Sequence, residues 1–591
     1  MASFVDPLVA ALLLPLAVWI LLNGLDDIVI DIIGWRAAAR RRNRLDSSVR
    51  QAVANAPQKR IAVVVPCWQE HGVIGRMIQQ NVEALAYSNY DFFVGVYPND
   101  HATRAVVAEL ESRYPNVHSA ICPHDGPTSK ADCLNWIWQA ILRFEAATCA
   151  RFEVIVTHDA EDVMHPQELH WINYCADTHG MVQVPVLPLA TSFVEWTHGV
   201  YCDEFTEYQC RDMPARDAMG AFVPSNGVGT GFRRDAVETL AKAKGHVFEP
   251  GCLTEDYENG YRLRLRNISQ MFLPLHREGM ATREFFPHRF RAAIKQRTRW
   301  VTGIALQTWE RHGWSGNAIT RYWLWRDRKG LLNNPLGIVA NLMSVYGALS
   351  WSASVASGTS WPLAAALAAH SALFAATTLM LAHRVLYRML CVAQIYGWRF
   401  ALGVPVRMVY ANVINSAAAI NAIRQYTVAK MRGRSLRWAK TSHQYPAQVT
   451  FTQDRRLLGE LLVARGRITA DQLANALATK PDDLRLGQHL VLSGLVAEHD
   501  VYEALSAQQG LPCSRLRPSE VRLSTARALP ADIAREYRVL PFRIEYASMC
   551  VAVPEIPTSH VRKQLRRYTM LDLRFHLVTP TEFDELVNAL L

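Results

Sequence analysis

The sequence predicts a doubly wound α/β domain held among membrane helices and followed by a small helical repeat module. Three observations carry this reading. Short β-branched apolar runs alternate with helical periodicity through residues 58–300. No Asp, Glu, Lys or Arg occurs from Leu331 to His383. After Leu458 a pattern of glycines and leucines recurs with a 28-residue shift.

The α/β block opens with Ile61-Ala62-Val63-Val64-Val65-Pro66, an apolar run closed by proline that reads as a buried parallel strand. Val73, Ile74, Met77, Ile78, Val82 and Leu85 follow with helical spacing. A second strand, Phe92 to Tyr97, ends in Pro98-Asn99-Asp100. A third, Phe152 to Thr157, ends in His158-Asp159-Ala160-Glu161-Asp162. Ligands of such sheets bind beyond the carboxyl ends of the strands, where Asp100 and Asp159 stand. A single acidic residue there also reads as a solvated loop. Asp159 and Glu161, one residue apart, offer oxygen ligands to a hard cation such as Mg²⁺ or Mn²⁺, with diphosphate oxygens completing its shell. Thr254 reads as the cap of a following helix. In the alternative reading, Asp256 of Thr254-Glu255-Asp256 takes the proton of an attacking sugar hydroxyl. Gln296-Arg297-Thr298-Arg299-Trp300, taken alone, reads as a solvated basic helix face.

The 591-residue chain carries a net charge of +10, with arginines clustered beside apolar segments. The clusters are Arg36 to Arg44, Arg326 to Lys329, Arg384 with Arg388, and Lys430 to Arg437. That placement favours a lipid surface over nucleic acid, for which no aromatic-basic signature or zinc-finger spacing is present. Eleven cysteines without a CxxC pair point to reduced thiols in a cytosolic compartment.

Leu8 to Leu22, extendable over Pro7 to Leu25, approaches the roughly 17–25 residues of a spanning helix. A cleaved signal peptide is the competing reading. Asp6 before the run and arginines after it fit an uncleaved anchor with its amino terminus outside. Leu331 to His383, divided by Ser357-Gly358-Thr359-Ser360 and flanked by basic residues, reads as a membrane hairpin, or as a buried soluble one. Val385 to Trp398 and Arg399 to Tyr426 read as interfacial amphipathic helices, because Arg407, Asn412, Asn415 and Arg424 oppose insertion. A fourth span is the alternative. The expected domains are an anchor at 1–45, the α/β domain at 58–310, a hairpin at 331–383, interfacial helices at 384–428, a linker at 429–454 and a terminal module at 455–591.

In chain order, VPCWQE (Val65–Glu70), Asp100, Lys130 in SKADCLN, Asp159 to Asp162, TED and QRTRW resemble the processive family 2 glycosyltransferases, the class of cellulose and hyaluronan synthases. The resemblance covers roughly residues 58–310 and implies a nucleotide-sugar transferase domain of the GT-A type. It implies that Asp100 contacts the base and that Pro66, Glu70, Lys130 and Asp159 bind the donor. Asp159 with Glu161 or Asp162 would hold the metal, either acid fitting the motif. Asp256, beside Glu255, would be the catalytic base. Gln296, Arg299 and Trp300 would bind the leaving diphosphate and place the acceptor, with inversion at the anomeric carbon.

In the terminal module, Arg456, Leu458, Gly459, Leu462 and Gly466 align with a second set, Arg485, Leu486, Gly487, Leu490 and Gly494, followed by Gln508. A duplicated helical bundle accounts for the repeat without a ligand. The pattern also resembles the MshEN domain, which implies cyclic di-GMP binding at these residues. The first copy departs from it, with Leu457 in place of Arg and Lys480 in place of Gln. Leu540-Pro541-Phe542 and Met549 to Val553 resemble the small α/β lobe of such modules.

The two parts together resemble the NfrB family of inner-membrane proteins, which act with an outer-membrane partner in exopolysaccharide secretion. The expectation is a multi-pass bacterial inner-membrane enzyme with cytoplasmic catalytic and terminal domains. It would join sugars from a UDP-sugar donor to a glycan acceptor, with cyclic di-GMP as allosteric activator. A non-catalytic receptor or scaffold is the second reading, and a terminal module that docks a protein the third. Intact Asp159, Asp256 and QRTRW argue against the second.

Overall fold

A computed structural model describes residues 2–44, 47–275, 280–433, 457–481, 484–509, 511–545, 548–569 and 571–591. Arg456 and most of the expected linker lie outside the described residues. The chain divides into two units, Met1–Tyr445 and Pro446–Leu591.

Strands β1 (Ile61–Pro66), β2 (Tyr90–Val96), β3 (Val117–Ile121) and β4 (Val154–Thr157) form a parallel array, with β1 central between β2 and β4. β2 is buried along its whole length, as its apolar run requires. Gly95 in β2 lets helix Lys130–Thr148 lie close, since a Cβ there would sit 2.5 Å from Cys133 Sγ. The chain then adds β5 (Met181–Gln183), β6 (Val186–Pro188), β7 (Thr230–Arg233), β8 (Gln270–Phe272) and β9 (Thr282–Glu284). β7 runs antiparallel between β4 and β5, and β8 closes the edge beside β5. The seven-stranded sheet is therefore mixed, in the order β3-β2-β1-β4-β7-β5-β8. β6 and β9 form a separate parallel pair.

Among the described residues, two helices, Val5–Arg40 within Ala2–Arg44 and Gly330–Ser357, are long and apolar enough to cross a membrane. The first runs well past Leu25, where the apolar run reads as ending. Its Asp26, Asp27 and Asp31 meet cations from other helices. Lys329 Nζ lies 2.8 Å from Asp26, and Arg211 Nη2 lies 2.8 Å from Asp27. After Gly330–Ser357 come the short helix Ala364–Ala369 and the helix Ser371–Tyr396, which continues through His383 without a break.

Helix Val404–Met431 packs on the α/β domain, and several of its polar side chains have partners there. Arg407 is buried and donates two bonds to Asp203, at 2.7 and 2.8 Å. Asn415 donates to Glu204 at 2.9 Å. Leu402, Val406, Val409 and Val413 lie exposed on and just before this helix.

In the second unit, each repeat copy is a helix pair: Leu458–Ala464 with Ala470–Thr479, then Leu486–Leu492 with Glu498–Gln509. Leu462 and Leu490 are core residues. Gly466 and Gly494 take positive φ at the helix ends, as tight left-handed turns require. A three-stranded sheet follows, β10 (Leu540–Glu545), β11 (Ser548–Val553) and β12 (Asp572–Leu577).

Arg407→Ala leaves the Asp203 carboxylate buried and unpaired, a cost of about 3–5 kcal/mol. Thermal melting of the detergent-solubilised protein should fall markedly. An Arg407→Met/Asp203→Leu double variant should recover most of the loss, and failure to recover would deny the pair this role.

Candidate active site

The carboxyl ends of β1, β2 and β4 open on one cavity, of about 1020 Å³ including its open mouth. Pro66, Glu70, Lys130, Asp159, Glu161, Glu255, Asp256, Gln296, Arg299 and Trp300 all line it. The chain thus brings together most of the expected residues from five separate segments.

Each group is placed by a local device. Lys130 opens helix Lys130–Thr148, which Ser129 caps by accepting from Asp132 N. Its Nζ lies 2.5 Å from Asp159 Oδ1. Burial opposes its charge, but Asp159, Glu255 and Asp256 outweigh this and hold the ammonium above its ordinary range. Beneath the Asp159 loop, His158 is fully buried between Asp162 (2.8 Å) and Glu168 (2.9 Å). Burial again opposes the charge, yet the two carboxylates raise the His158 pKa to about 10. Asp162 also accepts from Asp159 N at 2.9 Å.

Two expected positions differ from the sequence reading. Asp162 is buried under the loop and does not reach the cavity, so Glu161 is the acid that shares the wall with Asp159. Asp100 does not line the cavity either. Its carboxylate accepts from Gln69 N and, at 3.3 Å, from Thr103 N, which clamps the loops after β1 and β2 together.

Glu255 and Asp256 begin helix Glu255–Leu265, at whose positive end acidic groups are favoured. Thr254 is the cap residue, but its side chain makes no capping bond. Burial, and then Asp256, push the Glu255 pKa up to about 7. Burial likewise raises Asp256, with Lys130 opposing. Gly227, at φ +82°, passes over this carboxylate, where a Cβ would lie 2.5 Å from Asp256 Oδ2.

Helix Phe290–Val301 turns Gln296, Arg299 and Trp300 to the cavity and Arg297 away. Arg297 pairs with Glu204 and donates to Asn415 Oδ1 at 2.5 Å. The π-helical turn Thr302–Gln307 follows. Its Gln307 accepts from Leu253 N at 3.0 Å, joining this helix to the Thr254 loop. Arg299 Nε, Gln296 Oε1 and Asn226 Nδ2 are buried without hydrogen-bond partners among the described residues, and all three residues line the cavity.

Asp159 and Glu161 give two oxygen donors on one wall, the donor type that Mg²⁺ and Mn²⁺ take. Among the described residues, no group of three or more His, Cys, Asp or Glu forms a cluster able to hold an ion without further ligands. The residues fit a cation shared with substrate oxygens. Sequence reasoning missed Glu284, which lines the same wall from β9, and the His158–Glu168 pair; neither belongs to a short motif.

In the terminal module, Gly459 and Gly487 face Leu473 and Val501, so close helix packing accounts for both. Leu458 and Leu486 pack against the same core. Arg485 is exposed at the start of its helix, its N–H donating to Gln488 at 3.1 Å. Gln508 lies half-buried on the last helix of the repeat.

Residues 57–303 match the family described as glycosyltransferase like family 2, and residues 509–591 match the MshEN domain. The MshEN match thus falls on the α/β lobe that follows the helical repeat. Bacteriophage adsorption protein B of Escherichia coli (strain K12) is 34% identical over 571 residues, 91% of this chain and 75% of that protein. The mannosyltransferase PcManGT from Pyrobaculum calidifontis, solved with GDP-Man and Mn²⁺, is 17% identical with a TM-score of 0.39, covering 68% of this chain and 99% of that one. The structure of MshE with cdg is 24% identical with a TM-score of 0.21, covering 23% of this chain and 100% of that one.

The chain carries a family 2 glycosyltransferase domain and, after it, an MshEN domain. More particularly, the chain belongs to the family of bacteriophage adsorption protein B.

Glu258, behind Asp256, is fully buried against Arg311 (2.7 Å) and His312 (3.0 Å). Burial acts to raise its pKa, but His312 and Arg311 outweigh this and bring it down to about 2. A depressed folded pKa gives stability that is present at neutral pH and lost as pH falls below the ordinary carboxylate range. Glu258→Gln should cost about 2 kcal/mol at neutral pH. Melting curves of variant and wild type should converge as the pH is lowered from 5 towards 2.

Proposed function

We propose that this protein is a processive, inverting inner-membrane transferase that builds an exopolysaccharide from a UDP-sugar under control of cyclic di-GMP. One observation carries the catalytic half. Asp159 with Glu161, Asp256, and Gln296 with Arg299 and Trp300 converge on one cavity that also holds buried, unpartnered polar atoms. Such atoms are costly unless a ligand completes them.

In this reading Asp159 and Glu161 hold Mg²⁺ or Mn²⁺, which when bound offsets charge on the diphosphate. Arg299 and Gln296 receive the leaving diphosphate, the guanidinium through charge-assisted bonds. Asp256 takes the proton of the acceptor hydroxyl as it attacks in line. Burial raises the Asp256 pKa above its ordinary value, which strengthens the carboxylate as a base. Trp300 places the acceptor. Pro66, Glu70 and Lys130 line the donor side, and Asp100 holds their loops in place.

The apolar helices, with Ser371–Tyr396, embed the protein in the inner membrane, and the catalytic and terminal domains lie in the cytoplasm. The exposed apolar row beside Arg407 rests at the lipid interface. The polymer passes to an outer-membrane export partner. Cyclic di-GMP binds the helical repeat, chiefly at Arg485 and Gln508 of the second copy, and activates transfer. Docking of a protein is the second reading of the module, favoured by the packing that accounts for Gly459 and Gly487.

Purified protein given a panel of UDP-sugars should release UDP and incorporate sugar. Asp256→Asn should lower the rate by about 10²–10⁴-fold with melting unchanged; unaltered transfer would remove Asp256 from the mechanism. Arg485→Ala should weaken cyclic di-GMP binding by about tenfold or more in calorimetry. Equal affinity in the variant would favour the docking reading.

A further inference from the structure

β9 presents one cavity-facing group that the roles above leave unused. Side chains alternate along a strand, so Thr282 and Glu284 share one face, and Phe286 continues that alternation. Thr282 Oγ1 donates to Glu168 Oε2 at 3.0 Å, beneath the Asp159 loop. Glu284 and Phe286 both line the cavity. Arg283 instead donates to Pro188 O at 3.5 Å.

The backbone here is tightly held. Leu189 N donates to Glu284 O at 2.9 Å, and Arg283 exchanges both backbone bonds with Val163 at 2.8 and 3.0 Å. The Glu284 side chain, by contrast, makes no hydrogen bond or ion pair with any other described residue. A carboxyl group fixed at its root and unengaged at its tip is set to meet a ligand.

The ligand's chemistry follows by exclusion. Glu284 does not complete a three-residue ion cluster with Asp159 and Glu161. Arg299 and Gln296, in the reading above, already receive the anionic diphosphate, for which a further acid offers no counter-charge. Sugar hydroxyls, in contrast, donate readily to carboxylate oxygens. Phe286, on the same strand face, stacks on Tyr201 at 4.8 Å and lies 6.3 Å from Trp300. Phe286 and Trp300, which both line the cavity, give apolar ring surface on the wall that holds the acid, suited to the C–H face of a pyranose.

We propose that Glu284 is a specificity-determining residue that accepts hydrogen bonds from sugar hydroxyls at the transfer site. The proposal rests on the transferase reading above. The hydroxyls belong either to the transferring sugar of the donor or to the terminal sugar of the acceptor.

The test uses full-length protein in detergent, with Glu284→Gln and Glu284→Ala. Calorimetry compares UDP with UDP-glucose and UDP-N-acetylglucosamine, and kinetics follow a short acceptor oligosaccharide. UDP affinity should stay within about twofold of wild type, while sugar recognition weakens by about tenfold in Glu284→Ala and less in Glu284→Gln. Lost discrimination between UDP-sugar and UDP assigns the donor sugar. A raised acceptor KM with continued UDP release assigns the acceptor. A matching fall in UDP affinity, or wild-type values throughout on an active enzyme, would overturn the assignment alone. Wild-type protein that binds no nucleotide sugar would overturn the transferase reading and this assignment with it.

Discussion

Six carboxylates and two cationic side chains face a single cavity, and this charge imbalance governs the rest of the domain. Glu70, Asp159, Glu161, Glu255, Asp256 and Glu284 share the wall with Lys130 and Arg299. Left free, such groups would swing apart or take up protons. Burial and mutual repulsion do raise Glu255, Asp256 and Glu284. A diphosphate enters such a field only in the company of cations. The arrangement therefore favours ligands that bring positive charge or hydrogen-bond donors to the wall.

The surrounding structure keeps these acids from separating. The charged His158 ties Asp162 to Glu168 below the Asp159 loop. Asp100 clamps the neighbouring loops. Gly227 closes over Asp256, and the π-helical turn links the Thr254 loop to the helix of Arg299. These are contacts between distant segments, so the precision of the site is a property of the folded domain and not of any one motif.

What the sequence made legible, and what it hid, follows from the same division. β1, β2 and β4 were visible as apolar runs because both of their faces are covered. β3 was not, since His118 and Ser119 on that edge strand interrupt its pattern. β5 and β8 have three residues each and β7 four, too few for periodicity to show, and the reversed β7 turned an expected parallel sheet into a mixed one. The D-x-E, TED and QxxRW groups were legible as local spacings. Glu284 and His158 carry no local signature; their place depends on partners far along the chain. Asp100 was seen as a strand-end acid, but its bonds to Gln69 and Thr103 depend on how two loops meet.

The helix bearing Arg299 has two sides, and its second side meets residues from distant segments both before and after it in the chain. Arg297 is buried against Glu204 and Asn415, and Thr298 Oγ1 donates to Ala418 O at 3.5 Å. The catalytic half and the apolar helices are thus one folding body, whatever boundary a motif suggests near residue 310. A fragment cut there would keep the Arg297–Glu204 pair but lose Asn415 and Ala418, which bond Arg297 and Thr298 from helix Val404–Met431. A fragment that keeps every contact of the Arg299 helix therefore extends into helix Val404–Met431.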